Sequence, residues 1–156
     1  MSVTKEWVRL ARSSRCLPER ITAVMAHHQR FTTPPSLVDL DLIAREAFTT
    51  LPDVLLHHLG DVVIRIMDFC DSETEEEMDL ESPFELLGLY RGTSLPYKSV
   101  IDVAPQPDII FLYRRPILDY WCETDEDLTR VVRHVLIHEI GHHFGFSDEE
   151  MENIEE

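Results

Sequence analysis

The amino-acid sequence predicts an α+β domain, with helices packed on a small sheet. Two observations support this class: three short segments rich in β-branched and aromatic residues lie between helical segments, and the last helical segment repeats apolar residues at helical spacing. The length of 156 residues fits one domain, and 44% of the residues are apolar, which is enough for a hydrophobic core. No apolar run approaches the ~20 residues that span a membrane, and neither end resembles a secretion signal.

The chain is predicted to have two parts. Residues 1–35 form a basic N-terminal extension, in which six Lys and Arg stand against two Glu, and which ends in Thr-Thr-Pro-Pro, a linker signal. Residues 36–156 form the folded domain. The extension is compatible with a packed helix, a basic interaction arm, a disordered tail or, less well, a transit peptide.

Two helices are predicted at the start of the domain. Ser36 is a suitable N-cap for a helix that carries apolar residues every three or four positions and ends near Thr50, before Pro52. A shorter helical turn is expected over residues 54–59, closed by Gly60.

Three strands are predicted next, over residues 62–67, 86–91 and 109–114. The first two are separated by an acidic loop, residues 71–81, which holds seven carboxylates and no basic residue. Pro116 is expected to close the third strand.

A helical turn over residues 117–121 precedes the last helix. That helix is predicted from a stripe of apolar residues at helical spacing: Leu128, Val131, Val132, Val135, Leu136 and Ile140. Thr124 is the expected N-cap, and the acidic residues after it suit the positive end of the helix dipole. Gly145 is expected to end the helix in the left-handed conformation.

The last helix carries the most informative motif of the chain, H-E-x-x-H-x-x-G-x-x-D. His138 and His142 are four positions apart and project from one face, so that their imidazoles can bind one metal ion. Glu139 lies beside them, where a carboxylate can accept a proton from a water that the metal activates. After Gly145 the chain can turn back and present Asp148 as a third ligand.

Asp148 is the expected third ligand, because only 14 residues follow His142 and a ligand on a later helix is excluded. Glu149 and Glu150 are its nearest competitors. A water in place of a third protein ligand also stays open.

This motif resembles that of the zincin metallopeptidases, and its Gly-x-x-Asp extension is similar to the metzincin pattern. More closely, the chain resembles a small bacterial family of minimal zincin-like metallopeptidases in LLGLYRG at residues 86–92, IIFLYRRP at residues 109–116, and the metal motif at residues 138–148. The resemblance covers roughly residues 36–150. It implies a minimal zincin-like fold, with a three- to four-stranded sheet packed on the active-site helix and an N-terminal helix. It also implies one Zn²⁺ ion and a peptide or protein substrate. The Met-turn of metzincins has no counterpart here.

The expected activity is hydrolysis of peptide bonds, with Glu139 assisting the water that zinc activates. A non-catalytic, zinc-stabilised binding or regulatory module is the main alternative, and a metal-dependent RNA hydrolase is a third. The net charge of −16 argues against a nucleic-acid partner. No membrane partner is expected, and three widely spaced cysteines predict a reducing cytoplasm.

Four other residues are candidates for roles near the metal. In zincins the substrate aligns along an edge strand, here expected at residues 88–90 or 111–113. Tyr90 and Tyr113 on these strands are either proton partners or ordinary strand aromatics. His143 projects about 100° away from His142 and is not expected to be a ligand. His134 shares the face of His138.

Overall fold

The structure, a computed structural model, describes residues 2–4, 33–51, 53–59, 62–93, 107–124, 126–147 and 150. In chain order its elements are β1 (Ser2–Thr4), α1 (Leu37–Thr49), α2 (Asp53–Leu59), β2 (Val63–Met67), α3 (Ser72–Glu77), a 3-10 turn (Pro83–Glu85), β3 (Leu86–Arg91), β4 (Ile109–Tyr113), α4 (Arg114–Glu123) and α5 (Leu128–Phe144). The predicted α+β class is confirmed.

The described strands form one mixed sheet in the order β1-β3-β4-β2. β2 runs parallel to β4, while β3 runs antiparallel to both β4 and β1. β4 therefore lies inside the sheet, with β3 on one side and β2 on the other. The expectation that residues 111–113 form an edge strand for substrate is wrong, because both sides of that segment are already paired.

The main core lies between the sheet and the helices α1 and α5, which pack against each other. Buried apolar residues at helical spacing on α1 meet those of α5 and of β4, among them Leu40, Ile110, Leu112 and Leu136. Each such side chain contributes about 1.5–3 kcal/mol when it is fully buried. A smaller cluster holds Cys70, Leu86, Leu89 and Tyr113. The apolar spacing seen in the sequence thus places α5 directly on the sheet.

The first domain helix begins and ends where the sequence predicts. The Ser36 side chain accepts a hydrogen bond from the Asp39 backbone N–H at 3.2 Å, and the Asp39 carboxylate accepts one from the Ser36 backbone at 2.7 Å. This reciprocal arrangement is a capping box. Thr50 is the C-cap, as expected.

The acidic segment after β2 is not the loop that its composition predicts, because part of it forms α3. The Asp71 carboxylate accepts hydrogen bonds from the backbone N–H and the hydroxyl of Thr74, at 2.8 and 2.6 Å, and so caps the new helix. Arg91, at the end of β3, donates to both Thr74 and Glu77 at 3.1 Å. A basic residue distant in sequence therefore fixes part of the acidic segment against the sheet.

The third predicted strand is one residue too long, and the helical turn after it is too short. β4 ends at Tyr113, and α4 begins at once with Arg114. Pro116 lies in the first turn of α4, where a missing N–H does no harm. The Arg114 guanidinium donates to Asp68 at 2.7 Å and to the Pro35 carbonyl at 2.9 Å, which links α4 to the start of the domain.

The strand β1 lies within the predicted basic extension. Ser2 pairs with Leu89, Val3 with Gly88 and Thr4 with Leu86, with a shift of register between Val3 and Thr4. Three residues are too few for a sequence pattern to reveal. Most of the extension lies outside the described residues, and the division into residues 1–35 and 36–156 stays a prediction.

Candidate metal centre

The N-terminus of α5 is capped by Asp127, whose carboxylate accepts hydrogen bonds from the backbone N–H groups of Thr129 and Arg130 at 2.9 and 3.3 Å. The predicted N-cap, Thr124, is instead the C-cap of α4. Asp127, which was expected in the first turn, is the residue immediately before the apolar stripe and is the N-cap.

The C-terminus of α5 ends at Gly145, as predicted, with φ 90° and ψ 13° in the left-handed region. The Gly145 N–H donates to the His142 carbonyl at 3.0 Å, and the Phe146 N–H donates to the Gly141 carbonyl at 3.1 Å. This termination folds the chain back toward the face that carries the histidines.

The two histidines of the motif lie together in the interior. His138 and His142 are 0% and 3% exposed, and their ring centroids are 4.7 Å apart at an interplanar angle of 81°. The His142 Nδ1 lies 2.9 Å from the Phe146 carbonyl oxygen. Because a carbonyl only accepts, Nδ1 carries the proton, and in the neutral ring the lone pair belongs to Nε2. This is the tautomer and the outer hydrogen bond of a metal-binding histidine.

Glu139 lies beneath β3, at a place where the strand backbone comes very close to α5. Glu139 is fully buried. A Cβ atom added to Gly88 would lie 2.9 Å from the Glu139 Oε1 and 2.7 Å from the Val135 Cγ1. The glycine in LLGLYRG therefore gives the carboxylate its space.

A chain of buried polar groups joins α5 to the sheet beside this site. The Tyr90 hydroxyl donates to the Asp108 carboxylate at 2.9 Å, and the His143 Nδ1 lies 3.2 Å from the same hydroxyl. Because the hydroxyl proton is directed to Asp108, the Tyr90 oxygen accepts from a protonated Nδ1 of His143. Burial, followed by the bond to Asp108, raises the pKa of Tyr90, so this hydroxyl remains a donor at neutral pH.

Gly92 makes room for this network. A Cβ atom on Gly92 would come within 2.6 Å of the Tyr90 hydroxyl and would also collide with Asp108. Sequence reasoning placed Tyr90 near the site and His143 outside the ligand set, but it did not single out Asp108. No periodic pattern identifies a lone carboxylate just before a strand.

The other candidates occupy less central positions. Tyr113 is buried in the small cluster with Cys70, Leu86 and Leu89. Burial, with smaller contributions from acidic groups that include Glu139, raises the pKa of Tyr113. His134 lies one turn before His138 and is partly buried, and this burial lowers its pKa.

The third metal ligand is expected among the residues that follow Gly145. Asp148 and Glu149 lie outside the described residues. The Glu150 carboxylate accepts hydrogen bonds from the backbone and the hydroxyl of Ser147 at 2.8 and 3.0 Å, and these bonds lower its pKa. Glu150 is therefore engaged in a local cap. Among the described residues, no group of three or more His, Cys, Asp or Glu side chains is placed to hold a metal.

Two further observations concern the cysteines and the apolar character of the helices. Of the described cysteines, Cys70 is buried and Cys122 is exposed, and both are free thiols. Within the described part of the chain, no helix combines the length and apolarity needed to cross a membrane.

The fold and the paired imidazoles define a class, a small α+β domain whose longest described helix carries a buried HExxH motif. The model of the zincin-like metallopeptidase family matches residues 59–156, which is more than half of the chain. The chain therefore belongs to the zincin-like metallopeptidase family, and membership implies zinc binding. No curated protein matches the chain significantly.

Proposed function

We propose that this chain is a zinc-dependent peptidase in which His138 and His142 bind the metal and Glu139 is the general base and acid. One observation carries the proposal: a fully buried carboxylate next to two buried imidazoles, one of them fixed in a metal-binding tautomer. Burying three such groups costs stability unless they are hydrogen-bonded, paired or bound to a metal. A structural zinc site has no need of Glu139.

The donor set suits zinc. Imidazole nitrogens are common zinc ligands, and the bond from the His142 Nδ1 to the Phe146 carbonyl selects the tautomer whose lone pair is on Nε2. Asp148 is the proposed third ligand, since Glu150 is engaged with Ser147. When bound, zinc supplies a Lewis acid that polarises a carbonyl and makes water more acidic.

The protein's own part in the reaction is proton transfer and positioning. Glu139 accepts the proton of the attacking water and returns it to the nitrogen of the leaving amine as the peptide bond breaks. The Phe146 carbonyl holds the His142 ring in place. Gly88 holds the β3 backbone close to the Glu139 carboxylate, so the substrate backbone and the proton acceptor are brought together.

A peptide substrate would align along β3. Of the two expected strands, β4 is paired on both sides, whereas β3 pairs on its outer side with only three residues of β1. Backbone hydrogen bonds to that outer side would hold an extended peptide over α5. The proposed partner is therefore a peptide or an unfolded protein segment, and not a nucleic acid or a membrane.

The ligand assignment is tested by zinc content and affinity. His138→Ala, His142→Ala and Asp148→Asn should each lose zinc affinity by at least roughly tenfold, the size expected even for lost outer-shell partners. His57→Ala is the control, because His57 is exposed on α2. Unchanged affinity in Asp148→Asn would remove that residue from the ligand set.

The activity is tested by incubating the zinc-loaded parent with a mixed peptide library and identifying products by mass spectrometry. Cleavage that stops on chelation and returns with zinc supports the peptidase. Zinc binding without any cleavage would instead support the non-catalytic zinc-stabilised module.

A further inference from the structure

The outer side of β3, which the proposed function assigns to the substrate, is occupied by the chain's own segment Ser2–Thr4. This segment runs antiparallel to β3, and β3 would be the edge of the described sheet without it. The same backbone groups of β3 cannot pair with two strands at once. Any peptide that adds to this edge must therefore replace Ser2–Thr4.

The register places this segment at the site. Val3 is the partner of Gly88, and a Cβ atom added to Gly88 would lie 2.9 Å from the Glu139 Oε1. The segment also lies against α5, the helix that carries the metal motif. Ser2–Thr4 thus occupies the stretch of edge that would bring a substrate backbone to the general base.

The pairing is of a kind that can be displaced. Among the described residues it involves three of β1, and its register shifts between Val3 and Thr4, so the described ladder is short and irregular. Each backbone hydrogen bond contributes only modestly to net stability, because water competes for the same groups. A longer, regular peptide strand would form more of these bonds.

Building on the proposed function, we propose that Ser2–Thr4 is an intramolecular competitor for the peptide-binding edge of β3. The protein alternates between a closed form, in which Ser2–Thr4 pairs with β3, and an open form, in which an extended peptide takes its place. Only the open form binds substrate. A segment that holds the edge in about nine molecules of ten weakens apparent substrate binding about tenfold.

Proline substitutions in the full chain test this inference, because proline removes the N–H that a strand donates. Val3→Pro and the double variant Ser2→Pro/Thr4→Pro address the two alternate sets of N–H groups, of which one set faces β3. We expect KM for a cleaved peptide to fall about tenfold in at least one of them, with kcat unchanged. Val3→Ile keeps every N–H and should match the parent.

A second experiment measures peptide binding and does not depend on catalytic turnover. A synthetic peptide of residues 1–6 should bind the proline variant that opens the edge several times more tightly than it binds the parent, measured by calorimetry on zinc-loaded protein. Deleting residues 2–4 gives a further open variant if proline disturbs folding. Where cleavage exists, the same peptide should inhibit the open variant competitively.

The outcomes separate the two proposals. Cleavage by the parent with KM and peptide affinity unchanged in all the open variants overturns the competitor and leaves the peptidase intact. Absence of cleavage in every variant, with tighter peptide binding in the open variants, overturns the peptidase and supports the shared edge. Absence of cleavage with unchanged peptide binding overturns both.

Discussion

The first half of α5, residues 128–136, and the second half, residues 138–144, both face the interior but bring different chemistry to it. In the first half the buried side chains are Leu128, Val131, Val132, Val135 and Leu136. In the second half they include His138, Glu139, His142 and His143. Apolar burial stabilises the fold, whereas burial of imidazoles and carboxylates costs stability unless partners compensate.

This contrast separates stability from chemistry along one helix. The first half packs α5 against the sheet and α1. This packing fixes the position of the second half, which carries buried imidazoles and a carboxylate that contribute little to packing. Changes in the first half should therefore lower the free energy of unfolding with little effect on metal binding. Changes at the motif residues His138, Glu139 and His142 should alter metal binding or catalysis with little loss in the free energy of unfolding.

The largest expected loss of stability comes from Leu136→Ala. Leu136 is fully buried in the main core, and such truncations cost about 2–5 kcal/mol because a cavity remains. Urea unfolding of the metal-free protein measures this loss, and zinc affinity of the folded variant should stay within a factor of two or so. Arg133→Ala, on the exposed side of the same helix, should change stability by less than about 0.5 kcal/mol. Equal losses in the two variants would contradict the packing role of Leu136, and a large loss of zinc affinity in Leu136→Ala would contradict the division of the helix.

A smaller loss is expected from Tyr90→Phe, which removes the hydroxyl between His143 and Asp108. These two groups are 3.6 Å apart, so neither replaces the lost hydroxyl without moving. We expect a loss of about 1–3 kcal/mol, since two buried polar groups lose a partner. Tyr113→Phe is the comparison, because it removes the same atom from a buried tyrosine outside this network. If it costs as much as Tyr90→Phe, the network has no special part in joining α5 to the sheet.

The smallest effect tests where α5 begins. Asp127→Ala should cost about 1 kcal/mol through loss of the N-cap. Thr124→Ala should change the free energy of unfolding by less than about 0.5 kcal/mol, because Thr124 does not cap α5. Thermal unfolding of both variants distinguishes the observed cap from the predicted one, and a larger loss in Thr124→Ala would reverse the assignment.

Periodic and capping signals predicted much of the fold. The stripe of α5, the Ser36 cap of α1 and the glycine end at Gly145 all depend on interactions local in sequence, which a pattern records. Each of the three predicted strands also appears within one residue of its predicted bounds. The family resemblance is confirmed by the match over residues 59–156.

Contacts between segments that are distant in the sequence could not be predicted from local patterns. α3 exists in an acidic run because Asp71 caps it and Arg91 reaches it from β3. The network of Asp108 with Tyr90 and His143 joins β3, α5 and the residue just before β4. β1 has only three residues, and its sequence does not predict that it pairs with β3. The HExxH motif could be identified from the sequence alone. The role of Asp148 as third ligand remains a prediction.

The most direct test of the account measures zinc content, stability and peptide cleavage in Glu139→Gln, with Glu46→Gln on the exposed surface of α1 as the matched control. We expect Glu139→Gln to keep zinc and to lose at least about 100-fold in kcat, because a general acid and base is removed. Its metal-free stability should be equal to or above that of the parent, since a buried carboxylate is replaced by a neutral side chain of the same shape. Glu46→Gln should match the parent in all three. Full cleavage by Glu139→Gln, with zinc still bound, would contradict the assignment of Glu139 and with it the peptidase mechanism.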